Sequence, residues 1–261
     1  MRIAGFSQAP VWDMVAALPD GRTVIPVVVY GRTRLMVVQR GKDPVSLVNT
    51  TEETAAPMTA VGANQIAFSI GPEPHETIAL ADTATGRISG RISPGKGVIK
   101  SLAASPDGAT LYFTAGGSVW SVASTGGASR QICSGERVVA YPSGHRLVVA
   151  RQETSKSRLF EVPAGGGAER AIPSDPASPL FWELISSVTI RGDGQMLVSL
   201  YTADSAFNPL GLLDLQSGKI RRIAGDRASD LHSAVWTRDG QIVASRVGFL
   251  SMIWKFTPES K

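Results

Sequence analysis

Ser105-Pro106-Asp107-Gly108-Ala109-Thr110-Leu111-Tyr112-Phe113 combines a tight turn with the start of a β-strand. The Pro-Asp-Gly sequence is typical of a turn, because proline and aspartate favour its first positions and glycine accepts a positive φ. The β-branched and aromatic residues that follow are typical of a strand. A second apolar run, 119–122, and a glycine pair, 126–127, come next. We therefore predict antiparallel strands joined by short turns.

The same unit recurs along the whole chain. Each copy places a glycine, or once an asparagine, in a turn ahead of a β-rich run, and these turns lie roughly 44 residues apart. That spacing is the length of a propeller blade, which consists of four short strands and their turns. The turn residues are Gly21, Asn64, Gly108, Gly144, Gly194 and Gly240.

A third and a fourth strand also align between the copies. The third has a polar residue between apolar neighbours, and the fourth has an arginine shortly before an isoleucine, as in Arg130-Gln131-Ile132. The last copy ends after its third strand, 253–256, whereas Met1-Arg2-Ile3 has the pattern of the missing fourth strand. We predict that residues 2–6 pair with 253–256, because this pairing closes the ring and removes exposed strand edges.

The predicted fold is therefore all-β, a six-bladed β-propeller closed by the N-terminal strand pairing into the C-terminal blade. A β-sandwich is the alternative, but it would not repeat four strands in the same order. We expect a single domain over residues 1–261, with blades at about 8–50, 51–92, 93–134, 135–174, 175–225, and 226–261 together with 1–7.

Composition narrows the class of protein. Of the 261 residues, 43% are hydrophobic and 18% are charged, which is enough apolar material for a core and excludes general disorder. The net charge of +4 is too small to indicate nucleic-acid binding, and the single cysteine, Cys133, excludes an internal disulfide. No apolar run reaches the length of a membrane span. Residues 1–7 contain neither an apolar h-region nor a cleavage site, so no signal peptide is expected from them. The chain as given is expected in the cytoplasm, or in the periplasm if it belongs to a longer, anchored protein.

The repeats resemble a known family. The turn and strand of 105–113, followed by 119–122 and 126–127, look like the WD40-like repeat of TolB-type propellers. The segments 207–215 and 230–236 resemble most the sensor propellers that follow bacterial serine/threonine kinase domains. The resemblance implies a propeller that acts as an interaction or sensor region of a larger signalling protein.

The chain lacks recognisable catalytic machinery. It contains no phosphate-binding glycine loop, no His-Arg-Asp or Asp-Phe-Gly of a kinase, and no Gly-x-Ser-x-Gly elbow. His232 and Ser233 are adjacent in a predicted strand, where neighbouring side chains point to opposite faces. We therefore expect no catalytic activity, no cofactor and a monomeric chain that binds a protein, a peptide or a small ligand.

Candidate binding residues come from the longer loops. In a propeller, the turns between the first and second strands and between the third and fourth strands share one face, here the face with tight turns. The opposite face carries longer loops, and functional residues concentrate on such loops. An aromatic and acidic set around the channel mouth is expected to bind the partner: Trp12, His75, Phe181, Trp182, Asp204, Phe207, Asp230 and His232. The alternative is that Phe181, Trp182 and Trp12 fill gaps between blades.

A metal-dependent hydrolase is the alternative function. Lactonase-type six-bladed propellers bind Ca²⁺ through acidic residues and an asparagine that face the channel, although no motif in this chain identifies such ligands, and no histidine pair has metal spacing. The residues available for this role are Asp13, Glu183, Asp204, Asn208 and Asp230. The arginines of the fourth strands, among them Arg91, Arg130 and Arg170, are expected to protect the outer edges of the blades from aggregation.

Overall fold

The computed structural model describes residues 15–153, 156–174, 180–181, 189–200, 208–223 and 230–247. All regular structure in these residues is β-strand, and the strands form antiparallel sheets in which sequence neighbours pair. No helix in the described part of the chain has the length and apolar character that crossing a membrane requires.

Five sheets have four strands each. The first contains β1 (Ala16–Ala17), β2 (Thr23–Val29), β3 (Arg32–Val38) and β4 (Val45–Ser46), and the second contains β5 (Thr54–Val61), β6 (Gln65–Ile70), β7 (Thr77–Asp82) and β8 (Ile88–Ile92). The third contains β9 (Ser101–Ala104), β10 (Thr110–Ala115), β11 (Ser118–Ala123) and β12 (Arg130–Ser134).

The remaining sheets continue the same order. The fourth contains β13 (Arg137–Ala140), β14 (Arg146–Glu153), β15 (Lys156–Pro163) and β16 (Arg170–Ala171), and the fifth contains β17 (Leu180–Phe181), β18 (Gln195–Leu200), β19 (Leu210–Asp214) and β20 (Ile220–Arg222). The sixth sheet has two described strands, β21 (Asp230–Trp236) and β22 (Ile242–Val247).

Local turn chemistry explains why each sheet folds back on itself. In the turn between β9 and β10, the Asp107 carboxylate accepts hydrogen bonds from the Ser105 hydroxyl at 2.5 Å and the Ala109 N–H at 3.0 Å. Gly108 has a φ of +72°, which a residue with a Cβ rarely adopts. These bonds hold the Asx-type turn that the sequence predicted.

The hydrophobic core consists of layers between neighbouring sheets. Phe68 and Leu35 lie in a layer between the first and second sheets, and Phe113 and Ile78 lie in the layer between the second and third. Equivalent layers follow between each later pair of sheets. A small layer of Val15, Ala17 and Val235 places the sixth sheet against the first. The sheets therefore follow one another around a ring, the arrangement of a β-propeller.

The prediction of an all-β propeller is confirmed at this level. The structure has five four-stranded blades and a smaller sixth sheet. The strand exchange that we predicted between residues 2–6 and 253–256 lies outside the described residues, so it stays a prediction. The same holds for the full count of strands in the sixth blade.

Candidate functional site

Half of the eight predicted binding residues lie outside the part of the chain that the structure describes. Four of them fall in undescribed segments: Trp12, Trp182, Asp204 and Phe207. Asp13 and Glu183, from the alternative metal site, also lie there. The structure therefore neither brings these residues together nor separates them.

For three further predicted residues, the structure describes the position of the backbone within a strand. Phe181 ends β17 and pairs with Ser199, and Asp230 and His232 belong to β21, where they pair with Val247 and Ser245. β17 and β21 are the first strands of their sheets, and the first strands of neighbouring sheets lie together in the ring. The backbone of these residues thus lies on the inner side of the ring.

The strand around His232 is irregular. A bulge interrupts the pairing of β21 between His232 and Val235, and Ser233 has a φ of +52° in the left-handed region. The sequence-based expectation that His232 and Ser233 point to opposite faces assumed regular strand geometry, and a bulge re-aims side chains locally. A residue other than glycine in this conformation is strained, so surrounding contacts must hold it there.

His75 and its neighbour Glu76 occupy the turn between β6 and β7. His75 is exposed, and its N–H donates a hydrogen bond of 2.9 Å to the Pro72 carbonyl oxygen. Glu76 is buried, and its carboxylate accepts hydrogen bonds from the Ser69 hydroxyl at 3.1 Å and the Ile99 N–H at 2.9 Å. The buried acid ties this turn to the chain that enters the third sheet. Sequence reasoning missed it, because an acid beside a strand usually faces solvent.

Other sheets also have a buried hydroxyl residue at the strand position of Ser69. Ser69, Thr114 and Ser199 are each the fifth residue of a second strand, and each is almost fully buried. Thr114 Oγ1 donates to the Glu136 carbonyl oxygen at 2.9 Å, and Ser199 Oγ donates to that of Leu231 at 3.4 Å. These hydroxyls therefore connect one sheet to the chain of the next.

An open groove lies between the third and fourth sheets. It occurs at the end of the sheets that carries the tight turns, which we call the turn face, and it has a volume of about 400 Å³. Thr110, Tyr112, Ser121 and Arg130 of the third sheet line the groove together with the turn at Ala164–Gly165 of the fourth. Arg130 Nη1 donates a hydrogen bond of 2.9 Å to the Gly165 carbonyl oxygen across the groove.

Tyr112 contributes a buried phenol to this groove. The residue is 5% exposed, and burial together with the negative charge of Asp107 raises the pKa of its hydroxyl above the usual 10.0, against the opposing effect of Arg130. The phenol is therefore protonated at neutral pH and able to donate a hydrogen bond.

The fourth sheet carries a charged cluster at the corresponding position. Glu161 is buried and accepts a hydrogen bond from Arg170 Nε at 2.8 Å, and Arg146 Nη1 lies 3.0 Å from its other oxygen. Burial tends to raise the pKa of Glu161, but the two arginines outweigh burial and hold the pKa below the usual 4.5. Burial and the charge of Glu161 also raise the pKa of Tyr141. This cluster stabilises the turn face beside the fifth sheet.

The arginines of the fourth strands contact chain segments outside their own sheets. Arg130 contacts Gly165 of the next sheet, and Arg170 extends its guanidinium to within 3.4 Å of the Leu215 carbonyl oxygen in the fifth. Arg91 pairs with Glu52, which lies in the connection between the first and second sheets. The protection of blade edges by these arginines stays a prediction, and strand alignment alone did not reveal which neighbour each long side chain contacts.

The described residues contain no group of three or more histidine, cysteine, aspartate and glutamate side chains that could hold a metal ion. Asn208 of the alternative calcium set uses its side chain within the fold, since its Nδ2 donates to the Leu200 carbonyl oxygen at 3.3 Å. The aspartates of the tight turns bind backbone and hydroxyl donors of their own turns, as Asp82 does with Thr85 at 2.7 Å. Hydrogen bonds of this kind lower the pKa of Asp82 and Asp214.

The fold is similar to that of solved TolB structures. A structure described as "putative TolB from Agrobacterium tumefaciens" has a TM-score of 0.67 and 16% sequence identity, and the match covers 93% of this chain and 91% of that one. TolB from Acinetobacter baumannii has a TM-score of 0.59 and 15% identity, with 80% of this chain matching 53% of that chain. No protein-family model and no curated protein matches the sequence. The chain thus has a TolB-like propeller fold.

Proposed function

We propose that this chain is a non-catalytic β-propeller that binds a protein or peptide partner, or a small ligand, at its loop face. The loop face is the end of the sheets opposite the turn face, and it includes the 71–76 turn. In this proposal the propeller is the sensor region of a larger bacterial signalling protein, such as a serine/threonine kinase.

One observation carries the proposal. Core layers, buried hydroxyls and arginines connect neighbouring sheets, as Thr114 connects to Glu136 and Arg130 to Gly165. Connections of this kind favour a rigid ring, because a buried hydrogen bond left unmade would cost about 1–3 kcal/mol. A rigid scaffold that displays variable loops suits recognition, since loops positioned by such a scaffold commonly carry binding residues.

The proposal includes a complete ring of six blades. Residues 2–6 would pair with 253–256 as the outermost strand of the sixth blade and so supply the strands that follow β21 and β22. The small apolar layer of Val15, Ala17 and Val235 supports this arrangement, because it already holds the two ends of the described chain together.

The binding test uses the full chain and a displayed library of random peptides. We expect selected peptides to bind in a saturable manner, and hydrogen exchange of the complex to slow in loop-face segments such as 71–76. Protection confined to the tight-turn segments would contradict the loop-face assignment. Failure of both the peptides and a panel of small ligands to bind, or calcium-dependent hydrolysis of lactones by the chain, would overturn the proposed function.

The signalling context has a separate test. The genomic sequence upstream of the codon for Met1 is expected to encode an in-frame kinase or other signalling domain. An upstream stop codon without an intervening domain would contradict a parent protein of this kind, and the binding proposal would stand on the peptide experiment alone.

A further inference from the structure

We propose that the groove between the third and fourth sheets binds a carboxylate from an acidic side chain of a peptide, with Arg130 as its ionic partner. This site lies on the turn face, so the inference goes beyond the proposed loop-face function and does not depend on it. Its basis is a comparison between two equivalent strand positions in neighbouring sheets.

The strand register makes the comparison direct. In the third sheet Ser121 pairs with Arg130, and in the fourth sheet Glu161 pairs with Arg170 at the same place. The fourth sheet therefore has a carboxylate opposite its arginine, whereas the third sheet has a hydroxyl. The Glu161 carboxylate accepts a hydrogen bond from Arg170 at 2.8 Å, whereas the Arg130 guanidinium donates to the neutral Gly165 carbonyl oxygen.

The groove supplies donors where the fourth sheet supplies an acid. Arg130 contributes a cation, and Thr110, Tyr112 and Ser121 lie beside it, with the Ser121 hydroxyl donating to the Arg130 carbonyl oxygen at 3.4 Å. None of the described residues that line the groove is acidic. Asp107, the nearby acid whose charge affects Tyr112, accepts hydrogen bonds from Ser105 and Ala109 within its own turn. The Arg130 guanidinium matches a carboxylate, because hydrogen bonds between ionised partners are the stronger ones. The neighbouring residues Thr110 and Tyr112 carry hydroxyl groups of the kind that also donate to a carboxylate.

The groove is open to solvent, which favours a peptide as the ligand, because a free small acid is usually bound in an enclosed pocket. The far side of the groove is the turn at Ala164–Gly165, where Gly165 is exposed, so a side chain can enter while the rest of the peptide continues over the surface. Arg130 is itself exposed, which leaves its guanidinium accessible to a carboxylate that arrives from solvent. A glutamate side chain of the peptide would then bind Arg130 in the way that Glu161 of this chain binds Arg170.

The test follows the Arg130 side-chain Nε resonance by NMR during titration with the capped peptide Ac-Ala-Ala-Glu-Ala-Ala-NH₂ and its glutamine counterpart. We expect the glutamate peptide to shift this resonance in a saturable way and the glutamine peptide to bind at least about tenfold more weakly, as loss of a charge-assisted contact implies. Equal binding of the two peptides, or no shift with either, would overturn the inference.

Matched variants locate the site. Arg130→Gln is expected to weaken binding of the glutamate peptide about tenfold or more, as observed by backbone resonances of Gly165. Arg170→Gln removes the same charge from the equivalent strand position and is expected to leave binding unchanged. Similar losses in both variants would show a non-specific charge effect and overturn the site.

Two further measurements test whether the site is open opposite Arg130 and whether its ligand is a peptide or a free acid. Ser121→Glu would place a carboxylate opposite Arg130 as in the fourth sheet, so the folded variant is expected to lose peptide binding, and retained binding would contradict the inference. If Ser121→Glu does not fold, the comparison of the Arg130 and Arg170 variants still tests whether the carboxylate binds at Arg130. Sodium acetate is the probe for a free acid, and binding as tight as that of the glutamate peptide would overturn the peptide as the source of the carboxylate.

Discussion

The hydroxyl of Thr114 donates a hydrogen bond of 2.9 Å to the Glu136 carbonyl oxygen, and this bond joins the third sheet to the chain that enters the fourth. Thr114 is 1% exposed, so its hydroxyl lies away from bulk water. Ser199 makes a related bond to Leu231, and Ser69 acts through the buried Glu76. The contacts between blades therefore combine apolar layers with a few buried polar bonds.

Thr114→Val is expected to destabilise the protein by about 1–2 kcal/mol, because it keeps the branched shape and removes the buried bond. The measurement is urea unfolding followed by tryptophan fluorescence. Thr110→Val on the same strand is the control, since Thr110 is only half-buried, and its effect is expected within about 0.5 kcal/mol. Equal losses in the two variants would contradict a special role for the Thr114 hydroxyl.

Glu161→Gln is expected to cost about 1–2 kcal/mol at neutral pH, since both arginine partners are half-exposed and solvent screens part of the attraction. Folding lowers the pKa of Glu161, so its contribution is complete above the usual pKa of 4.5 and is lost as the pH falls through the lower folded value. The difference in melting temperature between wild type and variant should therefore shrink as the pH decreases below 4.5.

The control for this pH series is Glu169→Gln. Glu169 pairs with Arg151 at the surface, where ion pairs contribute little, so the variant is expected to lose less than about 1 kcal/mol. A difference between wild type and the Glu161 variant that stays constant down to pH 3 would contradict an ionised Glu161 as the stabilising form.

Gly86→Ala tests the close approach of neighbouring blades. Gly86 has a φ of +68°, and a Cβ at this position would lie 2.2 Å from the Leu47 carbonyl oxygen. Left-handed strain of about 1–2 kcal/mol and displacement of the Leu47 backbone add together, so we expect a loss of about 3 kcal/mol or more in urea unfolding.

Gly41→Ala is the matched control for that prediction. Gly41 has a φ of +74° with nothing within 4 Å of an added Cβ, so it measures the conformational strain alone. We expect about 1–2 kcal/mol for this variant. If the two alanine variants unfold at the same urea concentration, the contact between Gly86 and Leu47 is not a tight one.

Deletion of residues 1–7 tests the proposed closure of the ring. The deletion should lower the melting temperature and promote association, because it would leave a strand edge of the sixth blade unpaired. Calorimetry and light scattering after size exclusion are the measurements. Deletion of residues 258–261, beyond the predicted last strand, serves as the control and should change neither property. A protein without residues 1–7 that stays monomeric with an unchanged melting temperature would rule out the closure.

Repeat architecture was readable from the sequence because its signals are local. A turn such as 105–109 is held by bonds between residues two apart, as Asp107 holds Ala109, and the strand that follows is marked by its own apolar alternation. The pairing of neighbouring strands into sheets could therefore be predicted from short stretches of sequence. The bulge at His232 escaped this reasoning, since no turn residue marks it.

The candidate sites depend on pairs that no local pattern reveals. Arg130 and Gly165 are 35 residues apart and Thr114 and Glu136 are 22 apart, and each pair meets only because one blade packs against the next. The amino-acid sequence by itself determined a TolB-like β-propeller built from repeated antiparallel strands. Only the tertiary structure decided that Glu161 neutralises Arg170 while Arg130 faces an open groove, because the ring geometry sets which side chains of neighbouring blades come into contact.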